Sequence, residues 1–304
     1  MRGVAAALAA ACLAAMLLPA SSAGAADEPF WNSRPLGYWL NQLRVGDSAA
    51  RQLAARGVGE IATEHGSASV AAAVPLLVPC LDASDAPLRA AAADALAPIG
   101  AVAGSAGPRL LMLFERDPDA IVRRAAGAAS ARIEPGSARL ISTAARVLLH
   151  DEEPRVREVA AATLVEAGKS SMAAMPAARQ GMHDRDPMVR VYAAAVVARL
   201  GSPESAVPVL LDLLHASDGA VRAEAAGFLA DAAPADARSV PALLALLNDD
   251  DRTVRLAAID ALGAVGRPAR VAIEPLWHLI RDPDEEIREH AVKAIRLIKE
   301  ESTR

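Results

Sequence analysis

Three histidines in the middle of the chain are the side chains best suited to metal chemistry. His150, His183 and His215 each stand seven residues before an arginine, and Asp151 and Asp184 follow two of them. A transition metal needs its imidazole and carboxylate ligands within ~2.0–2.2 Å of one ion, whereas equivalent positions on packed neighbouring helices are roughly 8–10 Å apart. A histidine near a helix C-terminus is stabilised by the negative end of the helix dipole. We therefore interpret these histidines as helix-end residues and expect no metal site.

The sequence contains no motif of the common catalytic types. The strings Gly-x-Ser-x-Gly, Cys-x-x-Cys and His-Glu-x-x-His and the P-loop are all missing. Nothing therefore indicates an activated serine, a redox pair, a zinc protease site or a phosphate-binding loop. We expect a non-enzymatic protein with no catalytic residue and no cofactor.

The elements that would position any functional side chain follow from a repeat. An apolar residue followed by arginine recurs at successive spacings of 34, 34, 33, 32, 33 and 33 residues. The seven pairs are Leu88-Arg89, Val122-Arg123, Val156-Arg157, Val189-Arg190, Val221-Arg222, Val254-Arg255 and Ile287-Arg288. A period of this length indicates copies of one unit that bury their apolar faces by stacking. The sequence therefore predicts a solenoid.

The residues around each arginine predict two helices in every copy. A proline 13 to 15 residues before the arginine in most copies suits the first turn of a first helix. An acidic residue four before it suits the N-cap of a second helix. Alanine always stands three after it, and glycine ends several second helices. An eighth copy surrounds Arg51, 38 residues before Arg89, which predicts a loop insertion from Thr63 to Ser69. We expect eight helix pairs and no strand.

The repeated residues resemble those of a known family. The aspartate, the Val-Arg pair, the alanine, the leucine and the glycine of the segment 241–263 look like the short HEAT-like repeats of phycobilisome lyases. The Thr-Pro-Leu-His string of ankyrin repeats and the Trp, Gly and Tyr set of tetratricopeptide repeats are missing. The resemblance implies an all-α fold: an α-solenoid that forms a right-handed superhelix of about eight helix-pair HEAT-like repeats. It implies no single function, because HEAT proteins bind many unrelated partners.

Two groups of enzymes contain HEAT-like repeats and offer a comparison. Deoxyhypusine hydroxylase, a di-iron enzyme, uses His-Glu pairs, but Glu64-His65 and Glu289-His290 have the reverse order and lie at opposite ends of this chain. Bilin lyases share the short repeats, and repeats alone do not carry over their activity. The alternative function is therefore an accessory or maturation subunit, lyase-like, of an exported cofactor-containing enzyme.

The N-terminus has the layout of a secretory signal peptide. Arg2 precedes an apolar run from Val4 to Leu18, and Ala23-Gly24-Ala25 fits a cleavage site. Cleavage near Ala25 predicts an exported protein, periplasmic or secreted, that contacts a membrane only if the signal peptide stays uncleaved. The expected domains are a signal peptide (1–25), an N-terminal lead-in (26–35), the HEAT-repeat solenoid (36–299) and a C-terminal tail (300–304).

Three further residues are assigned to the core of the solenoid. Phe30 and Trp31, in the lead-in, are expected to cover the apolar end of the first repeat. Cys80 is the one cysteine beyond the signal peptide and takes a position that other repeats fill with Leu or Phe. This position predicts a buried thiol rather than a nucleophile.

The charges exclude one class of partner. The formal net charge is −5, and nucleic-acid binding needs a basic stripe to neutralise phosphates. We therefore expect no nucleic-acid partner. The repeated acid and arginine are expected to pair along the solenoid on a solvated face.

The remaining function is recognition of a protein or peptide on the concave face. In HEAT arrays the second helices line this face, so side chains two, five and nine residues after each arginine should project into the groove. The candidate partner-binding residues are Arg132, Glu166, Tyr192, Arg199, Glu224, Asp231, Asp260 and His290. Tyrosine and arginine are common interface anchors, which favours Tyr192 and Arg199, with solvated surface as the open alternative. The leucine-poor first helix Met175 to Met182 nearby is either a flexible joint or sequence drift.

Overall fold

The computed structural model describes residues 28–232 and 238–300. The predicted signal peptide at residues 1–25, its cleavage near Ala25 and all but the first residue of the predicted tail lie outside the described residues.

The described chain is an α-solenoid of sixteen α-helices in eight pairs, as the repeat predicts. Odd numbers denote first helices and even numbers second helices. The first helices are α1 (Leu36–Val45), α3 (Val74–Leu77), α5 (Gly107–Arg116), α7 (Ala138–His150), α9 (Met175–Gly181), α11 (Pro203–Leu213), α13 (Ser239–Leu246) and α15 (Ile273–Leu279). The second helices are α2 (Ser48–His65), α4 (Ala86–Ile99), α6 (Ala120–Ile133), α8 (Pro154–Ala167), α10 (Pro187–Arg199), α12 (Gly219–Ala232), α14 (Arg252–Val265) and α16 (Glu285–Glu300).

Short 3₁₀ segments join several of these helices. They span Ser67–Ala73, Val78–Asp82, Gly100–Ala106, Gly168–Ala174 and Arg267–Ala272. Glycines at the ends of α4, α8 and α14 have positive φ, at 59°, 53° and 67°. A residue with a Cβ is strained in that conformation, which confirms the predicted helix-ending role of Gly100, Gly168 and Gly266.

The acidic residue four before each arginine begins the second helix, as predicted. The carboxylates of Asp119 and Asp186 each accept hydrogen bonds from two backbone N–H groups of the first turn. Asp251 accepts one, from Thr253. The eighth copy is confirmed in the same way, because Asp47 accepts a bond from the N–H of Ala50 at the start of α2.

Each second helix packs against its own first helix and against the second helices of neighbouring repeats. The alanine three after each arginine lies in these contacts. It is fully buried in all eight copies, at Ala54, Ala92, Ala126, Ala160, Ala193, Ala225, Ala258 and Ala291. Phe114 is a larger core residue than the leucines of other copies, and Gly127 makes room for it: a Cβ there would lie 2.6 Å from the Phe114 ring. The core is built from close helix contact rather than from large side chains.

In four copies the repeated arginine pairs with a different acid from the one predicted. Its partner is an aspartate of the following repeat, six residues before that repeat's own arginine. The pairs are Arg89–Asp117, Arg123–Asp151, Arg157–Asp184 and Arg222–Asp249, with N–O distances of 2.7 to 2.9 Å. We call this series the arginine ladder. The predicted pairing was wrong: Asp119, Asp186 and Asp251, four before their arginines, accept hydrogen bonds from backbone N–H groups as helix N-caps, and Asp85 accepts from Ser48 and Gln52 instead.

The side chains of the ladder are only 3% to 17% exposed, so the expected solvated face was also wrong. Arg89 and Asp117 are 9% and 6% exposed. Each guanidinium forms a bidentate pair, and its third nitrogen donates to two carbonyls of the loop before its own helix; for Arg89 these are Ala83 and Ser84. The aspartate accepts a further bond from a backbone N–H two residues later, as Asp117 does from Asp119. In these four copies the ladder therefore ties the inter-helix loop to the next repeat.

Three details of the N-terminal region differ from expectation. Phe30–Trp31 and Arg34–Pro35 form a two-stranded antiparallel hairpin, so the chain is not free of strands. Trp31 packs on Trp39 with ring centroids 5.2 Å apart, but Phe30 is 61% exposed and covers nothing. The predicted loop insertion is wrong as well, because α2 continues to His65 and a 3₁₀ segment follows.

Cys80 is buried as predicted, and burial raises the pKa of its thiol.

Candidate binding groove

The second helices line a continuous concavity at the N-terminal end of the solenoid. It measures 660 Å³ and takes its walls from three successive second helices, α2, α4 and α6. Arg56, Asp94 and Arg132 stand at its rim, one from each helix. We call the surface formed by the second helices the groove. The predicted projection of side chains five and nine after the arginine into this groove holds at these three positions.

Asp94 lies at the centre of the N-terminal part of the groove. Burial in the concavity raises the pKa of its carboxyl, and the charge of Arg124 opposes that rise. Arg56, Arg124 and Arg132 form no ion pair with any described residue. Three guanidinium groups are therefore available to a ligand at this end.

An aromatic pair lies further along the groove, between α10 and α12. The rings of Tyr192 and Phe228 meet edge to face, with centroids 5.5 Å apart. Burial raises the pKa of Tyr192 to about 12, and the charges of Glu224, Glu158 and Glu166 raise it in the same direction. The phenol therefore stays protonated at neutral pH and can donate a hydrogen bond.

Three glutamates surround the aromatic pair. Glu158 and Glu166 belong to α8 and Glu224 belongs to α12. Burial raises the pKa of Glu224, and the charge of Glu158 adds to the effect. Glu158 accepts a bond from the exposed Arg155 at 2.8 Å, whereas Glu166 and Glu224 have no hydrogen-bond partner in the described part of the chain. This stretch of the groove carries uncompensated negative charge.

Arg199, the second predicted anchor, is already engaged within the protein. Its guanidinium pairs with Asp231 at 3.0 Å, donates to the carbonyl of Val165 at 3.4 Å and lies 5.7 Å from the centre of the Phe228 ring. The arginine fixes Phe228 and bridges α8, α10 and α12. We therefore reinterpret Arg199 as a residue that positions the aromatic pair.

The last two predicted residues meet at the C-terminal end of the groove. The Nδ1 atom of His290 on α16 lies 2.8 Å from the carboxylate of Asp260 on α14. Asp260 also borders a second concavity of 520 Å³ between α12 and α14, together with Glu224 and Asp231.

The structure thus brings seven of the eight predicted residues into two neighbouring clusters, five around the aromatic pair and two at the His290–Asp260 contact, and leaves Arg132 in the N-terminal part. The residues missed from sequence are Phe228, Glu158, Arg124 and Arg56. Phe228 and Glu158 stand six and one residues after their arginines, on the same side of the helix as the positions that were considered. The sequence contained a signal for Phe228, because it is one of only three phenylalanines in the chain.

The histidine series stands apart from the groove. His150 is the last residue of α7, and His183 and His215 follow the ends of α9 and α11, all three exposed. This confirms that they are helix-end residues. Within residues 28–232 and 238–300, no three His, Cys, Asp or Glu side chains are arranged to hold a metal ion.

One apolar stretch has the length and composition of a membrane span, Ala86–Arg116. It consists of α4 and α5, separated by the turn at Gly100, where φ is 59°. Both helices contribute fully buried residues to the solenoid core, among them Leu96 and Leu110.

The comparisons with known proteins agree with this architecture. The family model for HEAT repeats matches residues 38–131, 141–230 and 207–296. The chain belongs to the HEAT-repeat family. No curated protein matches this HEAT-repeat chain in sequence.

Two solved structures share the fold of this HEAT-repeat protein. YibA of Escherichia coli is 20% identical, with a TM-score of 0.58 over 86% of this chain and 92% of that one. The complex of CpcE and CpcF of phycocyanin lyase from Nostoc sp. PCC7120 is 20% identical, with a TM-score of 0.55 over 93% of this chain and 97% of that one. At this identity the likeness shows the fold alone.

Proposed function

We propose that this HEAT-repeat protein is a non-enzymatic scaffold that binds a protein or peptide in its groove, and that it does so after export. The proposal rests on one contrast between two sets of charged residues. The charged residues of the ladder and of the helix caps find their hydrogen-bond partners inside the solenoid. Five charged residues of the groove have no ion-pair partner among the described residues: Arg56, Arg124, Arg132, Glu166 and Glu224.

Such side chains favour recognition for an energetic reason. A carboxylate in a partly desolvated concavity destabilises the free protein, since burial disfavours the charged form. A partner that supplies the opposite charge relieves that cost. The aromatic pair adds a rigid apolar contact of the kind that anchors many interfaces.

The second candidate is a lyase-like maturation subunit of an exported cofactor-containing enzyme. The observation that favours it is the likeness of fold to the complex of CpcE and CpcF of phycocyanin lyase. It requires a bound cofactor, and the groove offers carboxylates and a tyrosine for one. A cofactor co-purifying with the mature protein would favour this candidate.

Site-specific photo-crosslinking in the native envelope tests the groove proposal. A photo-reactive residue replaces Ala257, which borders the 520 Å³ concavity. The matched control replaces Met112 on first helix α5, which is 48% exposed. We expect a crosslinked partner from position 257 and none from position 112. The same partner captured from position 112 but not from position 257 would place recognition on the outer face.

A further inference from the structure

The concavity between α12 and α14 has an apolar floor. Its lining includes Ala223, Gly227, Phe228, Ala257 and Ala261. Apart from Phe228, these residues are alanine or glycine, so little side-chain bulk rises from the floor. A groove of this shape accepts small or flat apolar groups rather than a deeply inserted side chain.

The rim of the same concavity is acidic. Glu224, Asp231 and Asp260 border it, and the charge of Glu158 on α8 adds to the effect of burial in raising the pKa of Glu224. Three of these carboxylates already have partners within the protein: Asp231 pairs with Arg199, Asp260 contacts His290 and Glu158 pairs with Arg155. Glu224 accepts no hydrogen bond from any described residue. The rim therefore has a net negative charge facing solvent.

Gly227 leaves the backbone of α12 open at this floor. It lies in the middle of α12, where glycine is less stable than alanine by about 1 kcal/mol. A Cβ at this position would meet no atom within 4 Å, and φ is not positive. Neither packing nor backbone conformation requires glycine here, and glycine is the residue that permits close approach of a ligand to the backbone.

We propose that the floor between α12 and α14 binds an extended basic segment of a partner protein, with lysine or arginine side chains reaching the acidic rim. This inference rests on the proposed function and names the chemistry of its partner. Alternate residues of an extended chain point to opposite sides, so apolar residues contact the alanine floor while the intervening basic residues reach Glu224 and Glu158. Tyr192 lies beside these carboxylates and offers a ring to the incoming cation.

The protein already shows that this surface accepts a guanidinium. Arg199 stacks over Phe228 and pairs with Asp231 in the same geometry that a partner's arginine would use at Tyr192 and Glu224. A neutral or acidic segment would leave Glu224 without a counter-charge in a partly buried place, which is unfavourable.

Fluorescence anisotropy with labelled synthetic peptides tests the inference on the mature chain. Three ten-residue peptides alternate leucine with lysine, glutamine or glutamate. We expect the lysine peptide to bind at least about tenfold more tightly than the glutamine peptide, with affinity that falls as salt is added because salt screens exposed charges. Equal binding of the glutamate peptide would overturn the assignment.

Two sets of variants locate the peptide. Glu158→Gln with Glu224→Gln should weaken lysine-peptide binding about tenfold, whereas Glu204→Gln with Asp212→Asn on first helix α11 changes the net charge equally and should not. Equal weakening by both pairs would show a diffuse field rather than a site. Gly227→Leu fills the floor and should abolish binding while the melting temperature stays at or above wild type, with Gly227→Ala as the control for helix stability.

These experiments distinguish failure of the basic-segment inference from failure of the proposed function. If position 257 crosslinks a native partner while the lysine peptide does not bind, the scaffold stands and the basic-segment inference fails. An acidic crosslinked segment, identified by mass spectrometry, would overturn the inference in the same way. If Gly227→Leu leaves lysine-peptide binding unchanged, the peptide does not lie on this floor.

Discussion

Removing one aspartate of the arginine ladder should destabilise the solenoid more than any surface charge change. Asp117→Ala deletes both bonds to Arg89, at 2.9 and 2.8 Å, and the bond from the N–H of Asp119 at 2.9 Å. The side chains of Arg89 and Asp117 are 11% and 3% exposed, so the guanidinium left behind cannot be rehydrated in place.

The magnitude follows from that burial. Breaking a buried ion pair by removing one partner typically costs about 3–5 kcal/mol, because a buried charge is left uncompensated. Arg89 keeps its bonds to the carbonyls of Ala83 and Ser84, which places the expected loss near the lower value. The double variant Arg89→Met with Asp117→Leu should be more stable than Asp117→Ala alone, since it leaves no buried charge.

The chain contains its own control for this prediction. Arg190 occupies the ladder position, but the residue that would pair with it is Ala216. The guanidinium of Arg190 donates instead to the carbonyls of Asp184 and Arg185. Arg190→Met should therefore cost only about 1 kcal/mol, the value of ordinary hydrogen bonds. Urea unfolding followed by circular dichroism gives the free energies of unfolding. A loss below about 1 kcal/mol for Asp117→Ala, the range of surface ion pairs, would refute the structural role of the ladder.

Four further predictions concern the ladder, the groove, the core and the N-terminus. Ala216→Asp should supply a carboxylate partner for Arg190 and raise the melting temperature. An unchanged or lower melting temperature would show that a carboxylate at position 216 does not pair with Arg190. Burial raises the pKa of Glu224 in the folded state, so ionisation of this carboxyl opposes folding above its unfolded pKa. Glu224→Gln should therefore raise the free energy of unfolding at pH 7 and have no effect below about pH 4. Urea unfolding at both pH values checks the sign. Ala258→Leu should overpack a fully buried helix contact and cost about 1–3 kcal/mol, which coincident thermal melts would contradict. The mature N-terminus should be Ala26 or the residue after it, and an intact mass that retains residues 1–25 would exclude cleavage.

The repeat made most of the fold predictable. A fixed period, an acid at the helix start, alanine at one position and glycine at the end are local signals repeated many times, so their positions reinforce one another. The ladder was missed although its aspartates, six residues before successive arginines, are visible in the sequence. Asp117 and Arg89 are 28 residues apart, and pairing between successive repeats depends on how the loops stack, which periodicity alone does not specify.

The sequence predicted which side of each second helix faces the groove, but not which side chains contact one another there. Tyr192 and Glu224 were placed correctly on the second helices because helical spacing fixes which residues share a side. The engagement of Arg199 with Asp231 and Phe228 could not be deduced, since it depends on the distance between α10 and α12. The strand pair near Phe30 was missed because two-residue strands carry no periodic signal.

A structure of the mature chain in complex with its crosslinked partner segment tests the central claim most directly. We predict an extended segment lying along the second helices, with a basic side chain beside Glu224 and backbone over Gly227. A partner bound across the first helices, with the groove empty, would contradict it.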